Sequence, residues 1–293
     1  MALLEVARYL APYQFSLPVV IGSVLVLVLY FRGLRAARVA GEAIDIGRRV
    51  NFLAGFVLCY AVIHTRFDYY AQYLFFMHRL QHLVLHHLAP FLIAVSAPWR
   101  ILWLGTPLAI RRLWLRQGWH HAVVRLVYGF VQNLIVAPVL FVGLIYFWLT
   151  PAVHFDAMLD LTLYHVMNWS MLIDGLLFWW LMLNPKTGGG GVVVSYGARV
   201  VILFLVMVPQ IVLGAYIALS GKDLYDVYDV CGRAWPIASA TDQQIGGLLT
   251  WIPAAMMSVL GILVVVNYMM QTDDRSPTDA SGGRELPSPE SGQ

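Results

Sequence analysis

The chain has 293 residues, of which 60% are hydrophobic and only 12% are charged, and its formal net charge is +3. Soluble domains carry about twice that charged fraction, so a soluble globular enzyme, a disordered chain, a nucleic-acid binder and, with two cysteines, a disulfide scaffold are excluded. What remains is an all-α polytopic membrane protein in a lipid bilayer, whose ten Trp and fifteen Tyr suit the two interfacial belts.

In chain order the apolar stretches are approximately 15–32, 49–66, 69–97, 122–149, 157–183, 198–219 and 245–270. At about 20 apolar residues per span, they predict seven transmembrane helices. The second is the weakest, diluted by Tyr60 and His64. The third is long and polar, so one side must face protein or water. Between stretches three and four, near 98–121, Trp99, Trp103, Trp114 and Trp119 alternate with arginines around Pro107, which predicts an interfacial helix. Gly188 to Gly191 predict a flexible turn. Residues 1–270 then form one transmembrane domain, and the Asp-, Ser-, Pro- and Gly-rich 271–293 a disordered tail.

Basic residues set the orientation. Arg32, Arg35, Arg38, Arg48, Arg49, Arg100, Arg111, Arg112, Arg116, Lys186, Arg199, Arg275 and Arg284 all fall on one side if the N-terminus is outside. Asp68, Asp156, Asp223, Asp226, Asp229 and Asp242 fall on the other. The expectation is N-out/C-in, with an acidic outer face and a cytoplasmic tail.

The informative residues are the nine histidines. The third stretch reads FFMHRLQHLVLHHLAPF, with His78, His82 and His86 four apart, which stacks them on one face of a regular helix. Gln81 and His87 lie on adjoining faces. The fifth stretch holds His165, Asn168, Ser170 and Asp174, and His165 lies about as deep as His78, at roughly 1.5 Å of rise per residue. An intramembrane imidazole is a functional candidate by default, and an i, i+4 pair offers two nitrogens to one metal. His78, His82, His165 and His86 are therefore candidate metal ligands, with interhelical hydrogen bonding as the alternative. Thioether sulfur favours Cu(I), and Met77, Met158, Met167 and Met171 lie nearby, although packing explains Met77, Met167 and Met171 as well. His64, Asp68, His154, Asp156 and Met158 sit at the outer ends of the spans, where they could take in a cation. His120 and His121 read as structural. Arg79 and Asp174 are both deep and each needs a polar partner; Arg79 could meet Asp174 or Asp160. Cys59 reads as a buried hydrophobe and Cys231 as a loop thiol.

The run MHRLQHLVLHHLAPFLIAVSAP and the later HFDAMLDLTLYHVMNWSMLIDGLLFWWLML resemble, in order and separation, two signatures of the CtaG-type cytochrome c oxidase assembly factor family. The resemblance covers roughly residues 50–270 and implies a similar seven-span architecture in a bacterial inner membrane. It also implies a non-enzymatic role in maturing haem–copper oxidases. Copper, transiently bound as Cu(I), would be passed to the oxidase subunit that carries the CuB site, with a periplasmic copper chaperone as a further partner. By motif match, His78 and His82 take the paired-histidine position and His165 the histidine of the second signature. Arg79 stands where relatives commonly carry an apolar residue. No paired-cysteine motif links the chain to the single-span copper chaperones that share the family's name. The residues leave two other readings open: a bis-histidine haem protein and a metal-free assembly scaffold.

Overall fold

The computed structural model describes residues 12–115, 119–184 and 194–273. The Gly188–Gly191 turn, the tail beyond residue 273 and the side chains of His120 and His121 lie outside the described residues.

The helices are α1 (Leu17–Val39), α2 (Ile46–His64), α3 (Arg66–Tyr73), α4 (Phe75–Leu83), a π-turn (Val84–Leu88), α5 (Ala89–Ser96), α6 (Trp99–Gly105), α7 (Leu108–Leu115), α8 (Trp119–Val131), α9 (Val136–Leu149), α10 (Pro151–Leu159), α11 (Leu161–Leu183), α12 (Tyr196–Leu219), α13 (Val227–Cys231) and α14 (Ser239–Asp273). Among the described residues there is no strand. Five helices, α1, α2, α11, α12 and α14, are each long and apolar enough to cross a membrane. Two further passages are bent. Phe75–Ser96 turns by 70° into α6, and Ala122–Val131 turns by 71° into α9. Counting each bent pair once gives up to seven spans, and the chain is an all-α polytopic membrane protein.

Each departure from the apolar stretches has a local cause. The 122–149 stretch is not one rod. Asn133 Oδ1 accepts from the Ile135 and Val136 amides at 2.9 and 3.4 Å, starting a new helix at α9. The 157–183 stretch breaks at Asp160, whose carboxylate accepts from the Thr162 and Leu163 amides and caps α11. The third stretch breaks at Leu74, which is extended (φ −144°). Asp242, at the start of α14, accepts from the Phe75 and Phe76 amides at 3.1 and 2.8 Å and so caps α4 from another helix. The 98–121 segment contains α6 and α7 and is not a single helix.

The passage α4–π-turn–α5 is the axis of the bundle, packed by α2, α11 and α14. Its π-turn follows from Pro90. A proline has no N–H and crowds the carbonyl four residues back, here that of His86. The His86 carbonyl instead accepts from Trp179 Nε1 on α11 at 3.2 Å. Helix α11 approaches this closely because residue 175 is glycine: a Cβ there would lie 2.5 Å from the His86 oxygen.

Gly175→Val should therefore lower unfolding stability in detergent by about 1–3 kcal/mol, the range for overpacking. Gly22→Ala, with nothing within 4 Å of its Cβ, should leave it unchanged. Asp242→Ala should cost about 1–2 kcal/mol as a lost cap, and Asp242→Asn, which keeps an acceptor, less.

Candidate metal centre

Three imidazoles meet near the acidic end of the bundle, and only two of them are the expected ones. His78 and His82 lie on α4 with ring centroids 4.3 Å apart. The third is His154 on α10, its ring edge-on to His78 at 5.0 Å. All three are buried. His165 does not join them. It is exposed, because the buried phase of α11 runs through Tyr164, Met167, Asn168, Met171 and Asp174. The position expected of His165 is filled by Asn168, whose Oδ1 lies 3.0 Å from His82 Nε2.

Hydrogen bonds fix the tautomers. A guanidinium only donates, so Arg79 Nη1, 3.2 Å from His82 Nδ1, requires a lone pair on Nδ1. His82 Nε2 then carries the proton and donates it to Asn168. Both nitrogens of His82 are thereby committed. His154 Nδ1 donates to the Trp148 carbonyl at 3.1 Å, leaving a lone pair on Nε2 that accepts from the Tyr228 hydroxyl at 3.0 Å. Burial pushes the Tyr228 phenol well above its ordinary pKa, so it stays a donor. An imidazole anchored through Nδ1–H to a backbone carbonyl is the arrangement that aims Nε2 at a metal. His78 differs from both. Neither of its nitrogens has a partner in full hydrogen-bond geometry, with only the Ala71 backbone approaching the ring, although it is wholly enclosed.

The other candidates are dispersed. His86 has left the His78–His82 stripe: the π-turn rotates it toward α11, where its Nε2 lies 2.9 Å from Asp174 Oδ2. This settles Asp174, and Arg79 pairs with neither Asp174 nor Asp160. Arg79 Nε donates to Thr250 Oγ1 at 3.1 Å, while Asp160 is an exposed cap. Asp68 is buried, accepting from Gln72, Gln81 and Tyr164 at 2.9, 2.9 and 2.7 Å. Gln81 also donates to the Val62 carbonyl at 2.7 Å. His64 is buried beside Tyr60 and Phe15, and its Nε2 has no partner. Asp156 is exposed, while Met158 is half-buried and packs against the cluster that contains Trp148, Tyr164 and Tyr228. Cys59 is half-buried and Cys231 exposed, both as free thiols.

Sequence reasoning undervalued two residues. His154 reads only as a cation-entry residue at the outer ends of the spans, not as a partner of His78. His87 reads as off-face, yet its Nε2 meets Gln210 Oε1 at 2.9 Å. The signal for His87 was present: Pro90 three residues later disturbs the helical phase just before it.

Among the described residues no three His, Cys, Asp or Glu side chains stand in metal-holding geometry. The arrangement offers one unoccupied donor (His78), one donor covered by a hydroxyl (His154) and one held by a cation (His82). Ring contact between His78 and His154 leaves no slot between them for a flat macrocycle, which disfavours axial haem ligation by this pair.

The chain matches over most of its length to proteins that themselves carry no assigned activity. An uncharacterized protein of Mycobacterium leprae (strain TN) is 24% identical over 92% of this chain and 41% of its own length. Uncharacterized proteins of Mycobacterium bovis and Mycobacterium tuberculosis are each 26% identical, with the same coverage. The chain thus spans about two fifths of the length of these curated relatives. No solved structure matches it. The family described as cytochrome c oxidase caa3 assembly factor matches residues 28–272, which include every imidazole, carboxylate and cap named above, and the chain belongs to that family.

Proposed function

We propose that the chain is a bacterial inner-membrane assembly factor that binds copper(I) transiently at His78 and His154 and passes it to the oxidase subunit carrying CuB. The observation that carries this reading is the pair itself. His78 is enclosed with neither nitrogen in hydrogen-bond geometry, and beside it His154 is anchored through Nδ1 with Nε2 accepting from the Tyr228 hydroxyl. A buried imidazole without a partner costs free energy. Metal coordination recovers that cost, and neutral imidazole suits copper.

Membership of the oxidase assembly family supports an oxidase as the recipient, and no turnover chemistry is needed. The acidic end, with Asp223, Asp226 and Asp229 near α13, is the side from which a cation and a copper chaperone would arrive if the N-terminus lies outside.

His78→Ala and His154→Ala should each weaken Cu(I) binding by roughly tenfold or more, as measured by competition with a chromogenic chelator, and should lower copper-dependent oxidase maturation in cells. Tyr228→Phe should tighten binding, because it uncovers His154 Nε2. His165→Ala should change neither, since that side chain is exposed. Unaltered copper binding and oxidase activity in both His78→Ala and His154→Ala would remove the copper reading and leave the scaffold.

A further inference from the structure

Below His82 lies a small void with room for about one water-sized occupant, walled by Arg79, His82, His87, Met171, Ile145 and Thr250 among others. His82 and His87 line it together because of the π-turn. Five residues apart on a regular helix, they would point in different directions. With i→i+5 bonding through Val84–Leu88, one extra residue is absorbed per turn, and His87 returns beneath His82.

His87 brings a free donor. The Gln210 amide is oriented by its own Nε2, which donates to the Val206 carbonyl at 2.8 Å, so Gln210 Oε1 faces His87 and takes its Nε2 proton. The lone pair of His87 Nδ1 is left buried and without a partner. Met171, 1% exposed, contributes thioether sulfur to the same wall. Imidazole nitrogen with thioether sulfur is a soft, uncharged donor set that selects Cu(I) over Zn(II) or Mg(II). A monovalent ion is also the least costly to bury.

The guanidinium of Arg79 opposes such an ion. It lines the void and, among the described residues, pairs with no carboxylate. It is held by Thr250 Oγ1 and His82 Nδ1. We propose that this void is a second, deeper site for a soft monovalent metal ion of the copper(I) class, built from His87 and Met171, and that Arg79 keeps it closed until it releases His82. The proposal rests on the copper reading above, but it uses different donors. Arg79 thus acts as a positioning residue: its departure both removes the repelling charge and returns His82 Nδ1 to the void.

The test is anaerobic titration of the detergent-purified full chain with Cu(I) against a chromogenic chelator, with X-ray absorption on the loaded samples. Arg79→Gln should bind at least tenfold more tightly than wild type and show sulfur in the copper shell. Thr250→Val, which removes one Arg79 acceptor, should shift binding in the same direction and serves if Arg79→Gln folds poorly. Adding the near-isosteric Met171→Leu to either variant should abolish the sulfur signal, and adding His87→Gln should reverse the gain. In the Arg79→Gln background, His78→Ala with His154→Ala should leave the sulfur-bearing ion in place. Loss of only the sulfur-free copper there would report on the upper pair alone. No gain in either loosened variant, or a gain insensitive to Met171→Leu and His87→Gln, overturns the deeper site.

Discussion

A histidine inside a bilayer cannot lend its second nitrogen to water, so each imidazole in this bundle is defined by the group that satisfies it or by the absence of one. Asp174, Gln210, Asn168 and Trp148 each claim one nitrogen of a different ring. These partners come from two helices, α11 and α12, and from the end of α9, and together they orient the imidazoles more firmly than the axial helix alone does. The rings with a nitrogen left over are then the places where chemistry can enter.

Arg79 is the costliest member of this set. A cation beside candidate copper donors opposes their filling, yet its bonds to Thr250 and His82 keep His82 in one tautomer and one orientation.

The fold class was legible in the sequence because hydropathy and charge report directly on burial in lipid. The His78–His82 pair was legible because spacing of four maps onto a helical face. His86 was assigned to the same face, and that failed because Pro90 shifts the phase, an effect the sequence contains but a regular 3.6-residue repeat hides. His165 was matched to His78 by depth, but depth fixes only the coordinate along a helix. The rotational coordinate was readable in the apolar phase of Met167 and Met171, which excludes His165. His154 was beyond sequence reasoning: its ring reaches His78 only through the packing of α10 and α13 over the acidic end. The expected Arg79–Asp174 pair failed for a related reason, since opposite charges at unequal depth each found a nearer partner.

The Asp242 carboxylate that caps α4 belongs to a residue 167 positions after Phe75. Ribosomes deliver a chain from its N-terminus, so while α14 is still unmade, the histidine helix is inserted without the group that caps its first turn. The helix that presents His78 and His82 is therefore completed only once α14 has been made. A chain cut short before α14 would retain all the imidazoles but lack the clasp on the helix that presents two of them.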